Sequence, residues 1–281
     1  MLGKPSRVLA GFAKTQVIAP EEEEKVTIVI PKKAYASYDD SGVTGHKDSF
    51  LLEAGSYKIY AGADVRTAAL AGSYEQELKV IEQLEEACAP SEQFERMTRD
   101  ADGTLVYKKI PAREFGPYDR IEKPEEIAYT GDKGYKLADV YNKKITMDEF
   151  IAQLSDEQLI MLFHAEGMCS PKVTAGTACA FGGLTEELRA LGIPATCTTD
   201  GPSGLRMDCG TKAFSLPNGT LIGCTFDLEL AQKLYEMTGY ELRKNRVDSL
   251  LGPGMNIHRN PLNGRNFEYI SEDPLVTGKM A

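Results

Sequence analysis

From Ile145 to Ala281 helical and extended segments alternate, and no other feature limits the possible folds of this chain as strongly. TMDE sets Thr146 and Glu149 as a capping box that opens one helix, and SDEQ sets Ser155 and Gln158 as a second. LTEELRALGIP opens another helix that Gly192 and Pro194 stop, releasing the extended stretch ATCTTD. FDLELAQKLYEMTGYELRKNRV has the spacing of one long amphipathic helix, and the apolar DSLLGPGM follows it. Strand, loop and helix repeating in this way predict a parallel sheet with right-handed crossovers. In such sheets ligands bind just past the C-terminal ends of the strands.

Two loops occupy that position. In TTDGPSGLR, Asp200 ends a strand, and Gly201, Pro202 and Gly204 force a tight turn toward Arg206. In GPGMNIHRNPLNGRNFEYISEDP, the residues Arg265, Glu268, Glu272 and Asp273 follow a strand at 249–251, with Phe267 and Tyr269 as possible apolar wall or hydroxyl contacts. A sugar ring presents hydroxyls that donate and accept at once, and carboxylates beside guanidinium forks satisfy several of them in fixed geometry. A polyol pocket therefore suits both loops. Each also has a purely structural reading. Asp and Gly in DGPSG are common turn residues, and Arg265 with Glu268 has the spacing of a surface ion pair. His164 and His258 lack metal-ligand spacing and are read as packed or hydrogen-bonded. Asp200 and Glu272 could form the carboxylate pair of a glycosidase, a choice that spacing leaves open.

The first half has a different texture. VLAGFAKTQVIAP, KVTIVIP with alternating Val26, Ile28 and Ile30, and SFLLEAGSYKIYAGA with a turn at Glu53–Gly55 predict short antiparallel strands of a sandwich. EEEEK at 21–25 reads as a solvated turn. Further on, SYEQELKVIEQLEEAC spaces Leu78, Ile81 and Leu84 as in a helix, and TRDADGTLVYKK predicts a hairpin closed by Asp102–Gly103. The polar, turn-rich EFGPYDRIEKPEEIAYTGDKGYK either wraps a neighbouring domain or carries a functional loop.

Composition removes several function classes. A net charge of −10 argues against nucleic acid or an anionic membrane as partner, since a phosphate-tracking surface needs clustered Lys and Arg. No apolar run reaches the length of a membrane span. MLGKPSRVLAGF lacks the apolar core of a signal peptide, which makes a cytoplasmic location the expectation. The six cysteines contain no CxxC pair, so neither zinc nor any other metal is expected, and the thiols are read as reduced and mostly buried. No cofactor is expected.

TTDGPSGLR, SLPNGTLIGCTFD and GPGMNIHRNPLNGRNFEYISEDPLVTGKMA resemble the first part of the barrel domain of glycoside hydrolase family 3, the β-glucosidase and β-xylosidase family. Residues 7–63 more loosely resemble the fibronectin type III-like domain that many of these enzymes carry. The resemblance implies a multidomain fold: a partial fibronectin type III-like β-sandwich at 1–67, a connector at 68–144, and the first part of a (β/α)8 TIM-like barrel at 145–281. That order resembles circularly permuted members of the family, and it implies a chain incomplete at both ends. By position, Asp200, Arg206 and Arg265 resemble the residues that hold the sugar in subsite −1, and Glu268 resembles an acid that steadies Arg265. The family nucleophile lies later in the barrel and the acid/base outside the barrel core, so no catalytic residue is assigned here. The implied activity is that of a retaining, exo-acting β-glycosidase that releases terminal β-D-glucosyl residues from a β-glucoside or oligosaccharide. This chain would supply sugar-binding residues and be inactive alone. A non-catalytic carbohydrate-binding or interaction module is the alternative. Glucoside against xyloside preference, linkage and oligomeric state stay open.

Overall fold

A computed structural model describes residues 2–281 apart from 87, 117 and 120, and within it the chain clusters into two units. One comprises residues 2–12 and Glu23–Lys123, and the other Ala13–Glu22 and Pro124–Ala281. Residues 68–144 are thus divided at 123 rather than held apart.

Among its described residues the first unit has the strands β1 (Ser37–Asp39), β2 (Ser49–Leu52), β3 (Gly55–Ala61), β4 (Ala69–Gln76), β5 (Lys79–Gln83), β6 (Glu95–Arg99) and β7 (Leu105–Lys109). They form an antiparallel sheet in the order β1-β2-β5 and two hairpins, β3-β4 and β6-β7. The β6-β7 hairpin turns at Asp102–Gly103 as the sequence predicts. EEEEK is exposed beside the turn in which Glu22 N–H donates to the Ala19 carbonyl at 3.1 Å.

Other expectations are corrected. Neither VLAGFAKTQVIAP nor KVTIVIP forms a strand, because alternation builds a strand only where a neighbouring backbone completes the ladder, and none pairs with them among the described residues. The segment expected to be helical around Leu78, Ile81 and Leu84 is the end of β4 and β5 instead. Pairing of β5 against β2, whose Leu51 and Leu52 are fully buried, overrides the local spacing. Four of the six cysteines, Cys88, Cys169, Cys209 and Cys224, are exposed, against the expectation of burial, and all six are free thiols.

Asp39 at the end of β1 organises the loop after it. Its fully buried carboxylate accepts hydrogen bonds from the backbone of Ser41, Gly42, Val43 and Thr44 and from the Thr44 hydroxyl at 2.6 Å. Burial alone would raise its pKa, but the donors from Thr44, Ser41 and Gly42 outweigh burial and hold it down to about 2.

The second unit runs α1 (Leu137–Tyr141), α2 (Met147–Ala152), α3 (Asp156–Phe163), β8 (Cys179–Gly182), α4 (Glu186–Ala190), β9 (Ala195–Asp200), α5 (Gly219–Cys224), α6 (Leu228–Lys244), β10 (Ser249–Leu251) and α7 (Pro274–Met280). Both capping boxes form: Thr146 with Glu149 opens α2, and Ser155 with Gln158 opens α3. Phe150 and Leu154 bury against Leu191, with Leu137, Ile145 and Ile193 packed around them. Ala13–Glu22 joins this unit, where Lys14 Nζ donates to the Thr225 carbonyl at 3.0 Å.

The sheet order is β10-β9-β8. β9 and β10 are parallel as expected, but β8 is antiparallel to β9, correcting the prediction of a uniformly parallel sheet. The reason is length. The five-residue α4 between β8 and β9 is too short to carry the chain back along the sheet, whereas the 17 residues of α6, about 25 Å at helical rise, return it for a parallel pairing. Among the described residues no helix is long and apolar enough to cross a membrane.

The Asp39 loop gives a pH test with a defined sign. Because the folded pKa lies below the ordinary value of 3.8, its stabilisation is complete above that value and is lost as pH falls toward about 2. Urea unfolding of the first unit is expected to lose about 2 kcal/mol across that window. Asp39→Asn should lower stability at neutral pH and flatten the dependence. An unchanged slope in the variant would remove Asp39 as its source.

Candidate functional site

Asp200 occupies the last position of β9, opposite Leu251 of β10, so both loops leave the sheet at one end. In the first loop the Arg206 N–H returns to the Asp200 carbonyl at 2.8 Å, and the Thr199 hydroxyl donates to the Arg206 carbonyl at 2.8 Å. Gly204 is required by both conformation and space. Its φ is +107°, and a Cβ there would stand 2.1 Å from the Phe214 carbonyl oxygen. From α6, the half-buried Tyr235 hydroxyl donates to the Pro202 carbonyl at 3.3 Å, and burial raises its pKa.

The second loop is held by α5. A Cβ on Gly219 would come within 2.4 Å of the Glu268 carbonyl oxygen, so this helix approaches the loop more closely than any side chain would allow. The neighbouring Thr220 hydroxyl donates to the Tyr269 carbonyl at 2.7 Å, and His258 Nε2 donates to the same oxygen at 3.0 Å. His258 is therefore a packing residue, and the exposed His164 caps the end of α3. Buried Glu268 accepts from Arg265 Nε. That hydrogen bond raises the guanidinium pKa, and the charges of Glu268 and Asp200 act in the same direction.

Asp200, Arg206, Arg265 and Tyr269 line one cavity of about 490 Å³, together with residues 251–254. Arg206 Nη1 lies 3.8 Å from Asp200 Oδ2, close enough for attraction but beyond a direct hydrogen bond. A ligand hydroxyl can enter that gap, accepting from Arg206 and donating to Asp200. The remaining acids of the second loop are not brought in. Asp273 caps α7, accepting from Leu275 and Val276 N–H at 2.8 and 3.1 Å, while Glu272 is exposed and does not line the cavity. The imagined Asp200–Glu272 pair is thereby corrected. Phe267 is exposed, whereas Tyr269 is part of the wall. Asp208 and Asn256 also line the cavity and carry no signal in the sequence beyond lying in or beside the two loops, and Met168, far from both in the sequence, lines it with no signal at all. Among the described residues no group of His, Cys, Asp and Glu is arranged to hold a metal ion.

The chain is similar to known proteins over its whole length. A fibronectin type III-like domain model matches residues 1–65. A β-glucosidase of Ruminococcus albus is 57% identical over the whole of this chain, and β-glucosidase A of Butyrivibrio fibrisolvens is 34% identical over the same span. A solved structure of a β-glucosidase from Paenibacillus barengoltzii superposes with a TM-score of 0.92 over 99% of this chain at 49% identity. The chain spans 30% and 36% of the two relatives and 31% of the solved chain. The resemblance to glycoside hydrolase family 3 β-glucosidases is borne out along the chain, which is multidomain with a fibronectin type III-like part.

The tightness of the first loop can be measured. Gly204→Ala is expected to cost several times what Gly210→Ala costs, roughly 3 kcal/mol against about 1, because Gly210 has a similar positive φ but no atom within 4 Å of a Cβ. Equal shifts in thermal unfolding would show that the Phe214 carbonyl imposes no close approach.

Proposed function

We propose that this chain supplies the glycone-binding part of subsite −1 in a retaining, exo-acting β-glucosidase acting on terminal β-D-glucosyl residues. The observation that carries the reading is the 3.8 Å gap between Asp200 and Arg206, open to the cavity that Arg265 also lines. Vicinal hydroxyls of a pyranose match such alternating acceptors and donors, and a neutral polyol needs no net charge from its site. Arg265, with Nε engaged by Glu268, keeps its outer N–H groups for a second hydroxyl. Relatives named as β-glucosidases over the full span of this chain support the substrate class.

The same reading takes residues 145–281 as the first part of a (β/α)8 barrel, with β9 and β10 as adjacent parallel staves. Retaining hydrolysis needs a carboxylate that attacks the anomeric carbon and a carboxyl that protonates the departing oxygen and then activates water. Neither role is assigned to a residue of this chain. Asp200, Arg206 and Arg265 hold the ring so that a nucleophile meets the anomeric carbon in line, which is a contribution of orientation.

Ligand-observed NMR with D-glucose tests this division. The chain is expected to bind glucose in roughly the millimolar range and to release no phenol from an aryl β-glucoside. Asp200→Ala should weaken binding by about tenfold or more, as loss of a charged hydrogen bond requires. Absence of glucose binding would remove the sugar-site reading, and turnover of the aryl glucoside would show that catalytic carboxyls do lie in this chain.

A further inference from the structure

The Arg206 guanidinium has a second carboxylate neighbour. Its Nε lies 3.1 Å from Asp208 Oδ1, so carboxylate, guanidinium and carboxylate form a row in which all three groups line the cavity. We infer that Asp208 is the positioning residue of this site, engaging the Nε–H of Arg206 so that the Nη edge of the guanidinium faces Asp200 and the cavity. The functional consequence rests on the sugar-binding reading above.

The Arg206 side chain is 61% exposed, and a long, exposed arginine loses substantial rotamer freedom when it is held in one place. An ordinary surface ion pair does not supply that order, because both partners move. Asp208 differs in having a fixed backbone. Its N–H donates to the Gly176 carbonyl at 2.8 Å, and the Cys209 thiol beside it donates to the Ala175 carbonyl at 3.2 Å. The strand of loop that receives them is itself anchored. The Thr174 hydroxyl donates to the carbonyl of Asn245 at the end of α6 at 2.6 Å, and the Thr177 hydroxyl closes the turn onto the Thr174 carbonyl at 2.7 Å. The Asp208 backbone, from which the carboxylate extends over one short side chain, is therefore tied to the end of α6 through residues 174–177.

The planar guanidinium converts one fixed contact into orientation. With Nε–H committed to Asp208, the plane and the direction of both Nη groups follow, and Nη1 reaches the 3.8 Å separation from Asp200 that a hydroxyl can bridge. Asp208 acts through Arg206, and its own contact with substrate is not needed.

Two readouts on the intact chain separate this role from general stability. In ¹⁵N-labelled protein the Arg206 Nε–H resonance, identified by its loss in Arg206→Lys, is expected to exchange slowly with solvent. Asp208→Ala should accelerate that exchange and weaken D-glucose binding about tenfold, whereas Asp208→Asn, which keeps an acceptor, should recover most of both. In an Arg206→Lys background, where no Nε–H exists, Asp208→Ala should add nothing further to the loss of affinity. The cycle also guards against a folding artefact, since a merely destabilising change would cost the same in both backgrounds. Unchanged Nε–H exchange in Asp208→Ala, or an equal affinity loss with and without Arg206, would overturn the inference. The exchange measurement does not depend on sugar. If wild-type chain binds no glucose while Asp208→Ala still frees the Nε–H, the sugar-binding reading fails and the contact between the two side chains stands.

Discussion

The site depends on a small clamp between Asp248 and Cys197. Cys197 N–H donates to the Asp248 carboxylate at 2.8 Å, and Asp248 N–H donates to the Cys197 carbonyl at 2.9 Å. β10 has three residues, too few for its own ladder to fix a register firmly, and a slip of one position would turn its side chains to the opposite face. The clamp, set immediately before β10, places Leu251 beside Asp200. Two loops separated by some fifty residues of sequence then leave the sheet side by side, and both line the cavity.

Charge is distributed unequally between the two loops. Arg265 is closed onto buried Glu268, and the pair behaves as one unit whose remaining donors face outward. Arg206 instead is shared: its Nε contacts Asp208 while its Nη1 stands off from Asp200. Both arginine side chains are exposed, so these contacts add little to folding stability. Their value is directional. A stand-off of 3.8 Å leaves the Asp200 carboxylate and the Arg206 Nη donors unjoined to each other, whereas a closed pair would have to break before a hydroxyl could enter.

What the sequence discloses follows the range of the forces involved. Helix starts at Thr146 and Ser155 were legible because a capping box is completed within four residues. Gly204 and the turn around it were legible because a left-handed backbone demands a particular residue type. Strand partnership was not. Val26, Ile28 and Ile30 alternate without a neighbour, β5 hides in helical spacing, and β8 reverses direction because α4 is short. Among the acids, Asp273 near the second loop serves its own helix, while Asp208, two residues from Arg206, had no motif to mark it. Its role follows from a backbone contact with Gly176, thirty-two positions away, which no local pattern encodes.

The two loops are also held by different means, and this bears on how the site can adapt. The Asp200–Arg206 turn is fixed mainly through backbone, by the close approach of Gly204 to Phe214 and by the Tyr235 hydroxyl on Pro202. The 265–269 segment is fixed from behind, by α5 pressing Gly219 onto the Glu268 carbonyl and Thr220 onto that of Tyr269. Neither arrangement uses the side-chain groups that face the cavity. Loop backbones and binding groups are therefore separable: changing the Asp200 side chain alters what is bound without loosening either loop, while a methyl group at Gly204 or Gly219 displaces several binding groups together. A site meant to tell one polyol from another gains from that separation, because the discriminating hydrogen bonds are made by groups whose positions the ligand does not have to set.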